Sequence, residues 1–395
     1  MDDDSATGSG GSAPNGWGDT IRGAAKGTAP VPLSVLDLAN VGVGYAAADA
    51  LRATVETAQL AERRGFTRYW VAEHHSMPGV ASSSPAVILA HLAAHTDRIR
   101  LGSGGVMLPN HAPLVIAEQF GTLEALAPGR VDLGLGRAPG TDGATAAALR
   151  RTVPHSPKGM GGGPPSGARG SAPTLSEGAE EFPQQLAELT HFLDDSFPAG
   201  HRYSRIHAVP GPVQDPDGQV SRPPVWLLGS SGFSAQLAGR LGLPFAFAHH
   251  FSAANTVPAL DLYRQTFRPS ALLDEPYAMI GASALAADDE VAAHRQVLTA
   301  ALAMMRLRTG RPGLVPTPEQ AESEARSFSA VERDFVDGWL ANVTYGTPDA
   351  VRDGLDRLVK RTGAHELMLT ANAHTPAARV HSYRLIADAY GLPPG

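Results

Sequence analysis

The chain reads as an α/β protein, a (β/α)8 barrel of the TIM type with a long insertion after its fourth strand, and three observations carry that reading. Short apolar runs alternate with stretches of helical period from Val31 onward, the order of a parallel sheet joined by crossover helices. Eight such runs occur along the chain. Glycine and polar clusters fall where the runs end, the rim on which a barrel carries its chemistry.

The first run is Val31–Ala39. A helix over 46–64 follows, in which Leu51, Val55 and Ala58 sit three or four apart and predict a narrow core stripe, with Arg52 and Glu56 on the neighbouring wet face. Gly65 stops this helix, and 68–75 is a second buried strand running straight into polar residues. The pattern repeats with a helix over 85–95, a strand over 99–108 and a helix over 113–126. After Pro128-Gly129 comes a strand over 130–137. Beyond an interruption lie strand 225–230, helix 234–241, strand 245–250, helix 257–267, strand 277–285, further helices and strand 366–371. Eight-strand alternation favours a closed barrel over a doubly wound sheet, although closure is not visible in a sequence. The interruption, 140–222, opens on a Gly/Pro-rich, mobile stretch at 154–173 and continues with a helical period over 180–193. An insertion there shares the rim with the active site, so it is either a lid over the substrate or a surface loop.

Composition narrows the classes of function. The chain has 395 residues, 43% hydrophobic and 18% charged, enough for a large core. A net charge of −7 gives no basic field, which makes nucleic acid a poor partner and a small molecule a better one. With no cysteine there is no disulfide, thiolate metal site or cysteine nucleophile, and a cytoplasmic setting fits. Residues 1–27 open with Asp2, Asp3 and Asp4 and continue in glycine and serine, the opposite of a signal peptide, and read as a disordered leader to a domain over 28–395. No apolar run is long enough to span a bilayer, so a soluble protein without a membrane partner is expected.

Four strand ends carry candidate chemistry. The second ends Glu73-His74-His75, a carboxylate and two imidazoles suited to proton transfer near neutral pH; a structural or metal-binding role fits the residues as well. The third ends Leu101-Gly102-Ser103-Gly104-Gly105-Val106-Met107, where glycine marks either a ligand brought close to backbone or a tight barrel corner. The fourth ends Leu133-Gly134-Leu135-Gly136-Arg137, small residues beside one guanidinium able to clamp a phosphate or carboxylate. Its spacing is not G-x-G-x-x-G, so no dinucleotide fingerprint is present. The fifth ends Gly229-Ser230-Ser231-Gly232-Phe233-Ser234 ahead of a helix. Free N–H groups, hydroxyls and a helix dipole converge there on an anion site; a hydroxyl N-cap accounts for one serine but not three.

Taken together, Tyr69–His75, Leu101–Pro109, Gly129–Arg137 and Pro224–Ser231 resemble blocks of the bacterial luciferase-like flavin monooxygenases, a resemblance that runs from Val31 to Tyr390 and is nearest to actinobacterial oxygenases that tailor polyketides. It implies an FMN-binding enzyme. Gly104-Gly105 matches the site where luciferases keep a non-prolyl cis peptide against the flavin ring, in luciferase itself between two alanines. Arg137, Ser230, Ser231 and Ser234 match positions that bind the FMN phosphate, His74 the catalytic histidine, and His249 a position lining the flavin pocket. Gly136 stands where luciferase has cysteine, so light emission and long-chain aldehydes are not implied. The implied reaction is addition of O2 to reduced FMN (FMNH2), giving a flavin C4a-peroxide that oxygenates an organic substrate, an aromatic polyketide of antibiotic biosynthesis being one such class. The protein must then supply a dry pocket and a proton-handling group, the role assigned to His74. With no dinucleotide fingerprint, reduced flavin would come from a separate NAD(P)H-dependent flavin reductase. The resemblance also implies a homodimer and no metal. Three rivals stand beside it: a deazaflavin (F420)-dependent dehydrogenase of the same superfamily, a non-catalytic flavin-binding paralogue, and a metal-dependent hydrolase using His74, His75, His249 and His250. The last wants a His-x-His on strand one, where this chain has Leu36-Asp37-Leu38.

Overall fold

The computed structural model describes residues 20–149, 181–214 and 222–394. Strands β1 (Leu33–Asp37), β2 (Arg68–Val71), β3 (Arg100–Ser103), β4 (Val106–Met107), β5 (Val131–Gly136), β6 (Val225–Gly229), β7 (Phe245–Phe247), β8 (Ala278–Ala286), β9 (Thr344–Gly346) and β10 (Glu366–Thr370) are joined by crossover helices. All pairings between strands are parallel, in the order β10-β1-β2-β3-β5-β6-β7-β8, and β8 pairs with β10, Met279 beside Glu366 and Ser283 beside Thr370, so the barrel closes. The eight expected runs supply its wall. β4 is the third run resumed after a break at Gly104-Gly105, whose peptide bond is cis. At that break Ser103 Oγ donates to the Gly134 carbonyl (2.8 Å) and accepts from the Gly134 N–H (3.0 Å), doing the work of a ladder pair. β9 was not anticipated; it extends β8 at its carboxyl end.

Alternation fills the barrel interior. Arg68, Trp70, Asp132, Trp226, Glu366 and Met368 point inward and are buried. At the amino-terminal end Arg68 donates to both oxygens of Glu366 (2.8 and 3.0 Å) and to Asp132 (2.9 Å), whose other oxygen takes Arg100 at 2.6 Å. Burial opposes the charge on Arg68, but Glu366 and Asp132 outweigh it and hold the guanidinium protonated. Such a closed ionic plug is costly to open from one side, on the order of 3–5 kcal/mol. Above it Trp70 and Trp226 meet edge to face at 5.2 Å. Gly102 makes room for this layer, since a Cβ there would strike the Trp70 ring. The corner reading is therefore right for Gly102.

Three sequence readings need correction. Helix α1 (Ala47–Arg63) buries Ala50, Ala53, Thr54, Thr57, Ala58, Leu60 and Ala61, while Leu51 is exposed and Val55 only partly covered. Small residues let this helix lie close to the sheet, and the stripe drawn through its largest apolar residues pointed partly outward. The leader, read as disordered through Gly27, ends earlier: Ile21 is fully buried and its carbonyl accepts from Arg68 Nη2 at 2.6 Å. The ionic plug needs that acceptor. The insertion's helix, Phe182–Asp194, buries Phe182, Leu186, Leu189 and Phe192 in the main core and packs on helix Pro113–Leu126, so it is part of the barrel's outer shell, not a cover for the mouth. The stretch 154–173 lies outside the described residues.

The mouth is covered from elsewhere. Between β8 and β9 the chain forms helices Glu290–Arg308, Pro318–Ala325 and Ala330–Leu340, which bury Val297, Ala301, Leu302, Met305 and Val336 in a second core of their own. Each begins on a side-chain cap, Asp289, Thr317 and Ser329, accepting from the N–H three residues on. No helix among the described residues is long and apolar enough to cross a membrane.

Candidate active site

The carboxyl ends of the strands enclose a cavity of about 250 Å³ that reaches from Arg137, Ser230 and Ser234 at one side to His74 and Gly104 at the other. Gly104 and Gly136 line it where inward side chains would otherwise fill the space. A Cβ on Gly104 would meet Leu36 Cδ1 at 2.5 Å, and one on Gly136 the Met107 sulfur at 2.7 Å. Both glycines therefore let Leu36 and Met107 pack close beside the cavity wall. Gly105 does not line the cavity; it faces β5, where a Cβ would meet the Gly134 carbonyl at 2.8 Å.

At the polar end the Arg137 guanidinium lies 4.4 Å over the Phe233 ring and makes no hydrogen bond or ion pair with any described residue. Phe233 fixes its direction. Ser230 and Ser234 line the same end, and Gly229 lets Ser234 in, because a Cβ there would meet Ser234 Oγ at 2.6 Å. Ser231 is placed otherwise: it is exposed, lies outside the lining and stands at the N-cap of helix Gly232–Leu241, where its backbone, not its hydroxyl, opens the helix. A cation, two hydroxyls and the first N–H groups of that helix are the kinds of donor that an anion site requires.

His74 sits at the far end. Its backbone N–H donates to the Ser82 carbonyl at 2.9 Å, while its buried Nδ1 has no partner among the described residues. Burial, then His250 nearby, push its pKa down to about 4 against the pull of Glu73. The ring is neutral at pH 7, able to accept at one nitrogen and donate at the other. Glu73 faces away from the cavity. It accepts from His75 Nε2 and His111 Nε2, each at 2.8 Å, and from the Met107 N–H at 3.0 Å. Burial works to raise its pKa, yet these partners hold it below the usual value. Glu73 therefore ties the loop after β2 to β4 and fixes the backbone on both sides of His74, leaving His75 structural.

His249 is a correction. It was expected to line the flavin pocket, but the chain turns directly after Phe247, and its Nδ1 is hydrogen-bonded to Thr256 Oγ1 at 2.7 Å, outside the lining. Its neighbour His250 lines the cavity instead, its Nδ1–H donating to the Gly281 carbonyl at 2.8 Å. Burial lowers the His250 pKa, so its Nε2 is left as an acceptor. Gly281 leaves that ring its space. Sequence reasoning also missed Phe233, and it missed Met304 and Trp339, which the covering helices bring into the cavity wall. No group of described residues is arranged to hold a metal ion.

A closed barrel with a cavity at its carboxyl-terminal rim, a guanidinium and hydroxyls at one end and histidines at the other, has the form of a barrel enzyme. The family model described as luciferase-like monooxygenase matches residues 31–366. The chain is 45% identical over 358 residues to the Bacillus subtilis protein YvbT (91% of this chain, 96% of that one). It is 42% identical to a luciferase-like monooxygenase of Escherichia coli K12 over the same shares of both chains. The crystal structure of apo-MsnO8 superimposes with a TM-score of 0.76 at 33% identity, covering 92% of this chain and 99% of that one. The chain belongs to the luciferase-like monooxygenases and is a flavin-dependent enzyme of that family.

Proposed function

We propose that the protein binds reduced FMN across the barrel mouth and uses it with O2 to oxygenate a small organic substrate. One observation carries this reading: a single cavity holds, at one end, a guanidinium without an ion pair among the described residues together with two hydroxyls and, at the other, an imidazole nitrogen without a partner among them beside a glycine backbone. The residues fit the group. Arg137, Ser230 and Ser234 would hold the phosphate, Gly104 and Gly136 would lie against the ring, and His74 and His250 would meet its polar edge. When bound, the reduced flavin supplies the electrons that activate O2. Trp70, Met107 and Met368 keep water from that end of the cavity. His74, neutral and with Nδ1 unpaired, accepts or returns a proton at the reacting edge. The reduced flavin comes from a separate NAD(P)H-dependent reductase, since no strand end carries a dinucleotide fingerprint. The working unit is a homodimer, by likeness to the family.

The test is a titration of the purified chain with FMN, FMNH2 under argon and F420, followed by O2 uptake with an added flavin reductase and NADH. FMNH2 should bind and O2 should be consumed. Binding of F420 with hydride transfer to a carbonyl or alcohol and no O2 uptake would overturn the proposal in favour of a dehydrogenase.

A further inference from the structure

Behind His74 the cavity opens into a second chamber of about 350 Å³, and the two share Leu38, His74, Ala138, Phe251, Met304, Trp339 and Asn372 as a common wall. Its size falls in the range that takes a whole small organic ligand, about 300–1,000 Å³. The wall beyond the shared residues is made by Met77, Val80, Ala300, Ala303, Leu307 and Val315. No Lys, Arg, Asp or Glu lines it among the described residues. A charged ligand would lose its hydration there and gain no counter-ion. Thioethers at Met77 and Met304 give the apolar wall a deformable, polarisable surface suited to flat or irregular hydrocarbon frames.

Besides His74 and Thr141, whose hydroxyl donates to the His75 carbonyl at 2.8 Å, an amide pair interrupts that wall. Asn40 Nδ2 donates to Asn372 Oδ1 at 2.8 Å, which leaves Asn372 Nδ2 and Asn40 Oδ1 with no partner among the described residues. Both residues line the chamber. The pair is held from behind, where buried Arg379 donates from Nη1 to the Asn40 carbonyl at 2.7 Å. In front of it, Ala39 adopts a left-handed backbone with φ of 49° and so turns Leu38 and Asn40 to the same cavity wall. An alanine held there is strained by about 1–3 kcal/mol and persists only where its surroundings impose it. Here Asp37 imposes it by accepting the Ala39 N–H at 2.8 Å.

Resting on the proposed function, we infer that the second chamber selects an uncharged, largely apolar substrate bearing one hydrogen-bonding oxygen, which the Asn40–Asn372 amide pair holds so that the apolar body lies against Met77 and Met304 and the reacting part faces His74. Asn372 is then the specificity residue, its Nδ2 donating to the substrate oxygen.

The experiment is calorimetric titration of the flavin-free full chain with three matched probes, 2-acetylnaphthalene, 2-ethylnaphthalene and 2-naphthoate, alongside a separate FMN titration. The ketone should bind best. The hydrocarbon should bind about 2–10-fold more weakly, the worth of one hydrogen bond, and the carboxylate at least about 100-fold more weakly. Asn372→Ala should bring the ketone to the level of the hydrocarbon and leave the hydrocarbon unchanged. Ala303→Trp fills this chamber without touching the first and should abolish all probe binding while FMN affinity stays. Naphthoate binding as tightly as the ketone to both the wild-type chain and Arg137→Ala, no probe binding at its solubility limit, or Ala303→Trp leaving the probes unaffected would each overturn the inference. The two readings fail separately: probes ranked as described without FMN binding would sink the flavin assignment alone, and FMN binding with another probe order would sink the chamber alone.

Discussion

Replacing Arg137 by alanine removes a cation that has no ion pair among the described residues, while leaving the ring end of the cavity untouched. Its guanidinium already lies on Phe233 at 4.4 Å and breaks no protein contact when a phosphate arrives, so its full pairing energy is available to the ligand. Charge-assisted hydrogen bonds contribute about 1.5–3 kcal/mol, and Arg137 is partly exposed on the rim, which places the expected loss in the lower half of that range. That corresponds to roughly 10–30-fold weaker FMN binding. Riboflavin, which has the same ring and no phosphate, should lose less than about twofold on the same arithmetic. Phe233→Ala loosens the guanidinium without removing it and should cost about 2–5-fold for FMN, the worth of an exposed cation–π contact. The assay is quenching of flavin fluorescence at two salt concentrations, where the wild-type preference for FMN over riboflavin shrinks with salt and that of Arg137→Ala does not. Equal losses for FMN and riboflavin would refute the phosphate assignment.

Three further outcomes follow from the geometry. His74→Ala should lower turnover by roughly 10²–10⁴-fold with FMN affinity little changed; wild-type turnover would remove His74 from the proton path. Burial pushes both His74 and His249 down to about pKa 4, against about 6.5 in the unfolded chain. Above pH 6.5 both states are neutral; as pH falls toward 4 the unfolded chain takes up protons that the fold refuses, so stability drops across that window. Urea midpoints at pH 7 and 4.5 should show this, and His249→Gln should flatten the drop; an unchanged slope counts against it. Arg68→Met leaves Glu366 and Asp132 buried without their shared cation and should destabilise by about 3–5 kcal/mol in urea titrations, and a loss under about 1 kcal/mol would mean the plug is not closed as described.

Much of the site was legible because its chemistry sits at strand ends, and strand ends are marked by abrupt changes from apolar to small or polar residues. His74, Gly104, Arg137, Ser230 and Ser234 all fall at such changes, and all line one cavity. His249 was misplaced for the same reason in reverse. Strand alternation stops at Phe247, so which of two adjacent histidines faces inward depends on the turn and on the space left by Gly281. Phe233 was visible as a residue but not as a partner, since its stacking on Arg137 joins two segments nearly a hundred residues apart.

Sequence by itself determined the βα alternation, the number of strands in the barrel wall and the family, because local period and clustered motifs are properties of short segments. Tertiary structure alone decided that the barrel is closed, that Ile21 belongs to its ionic plug, that helices between β8 and β9 reach the mouth, and that helix Phe182–Asp194 packs on the outer shell. It also brought Asn40, Asn372, Met304 and Trp339 to one wall. The reason is physical: those residues are joined by packing across the barrel, and packing between distant segments leaves no period in the chain that carries it.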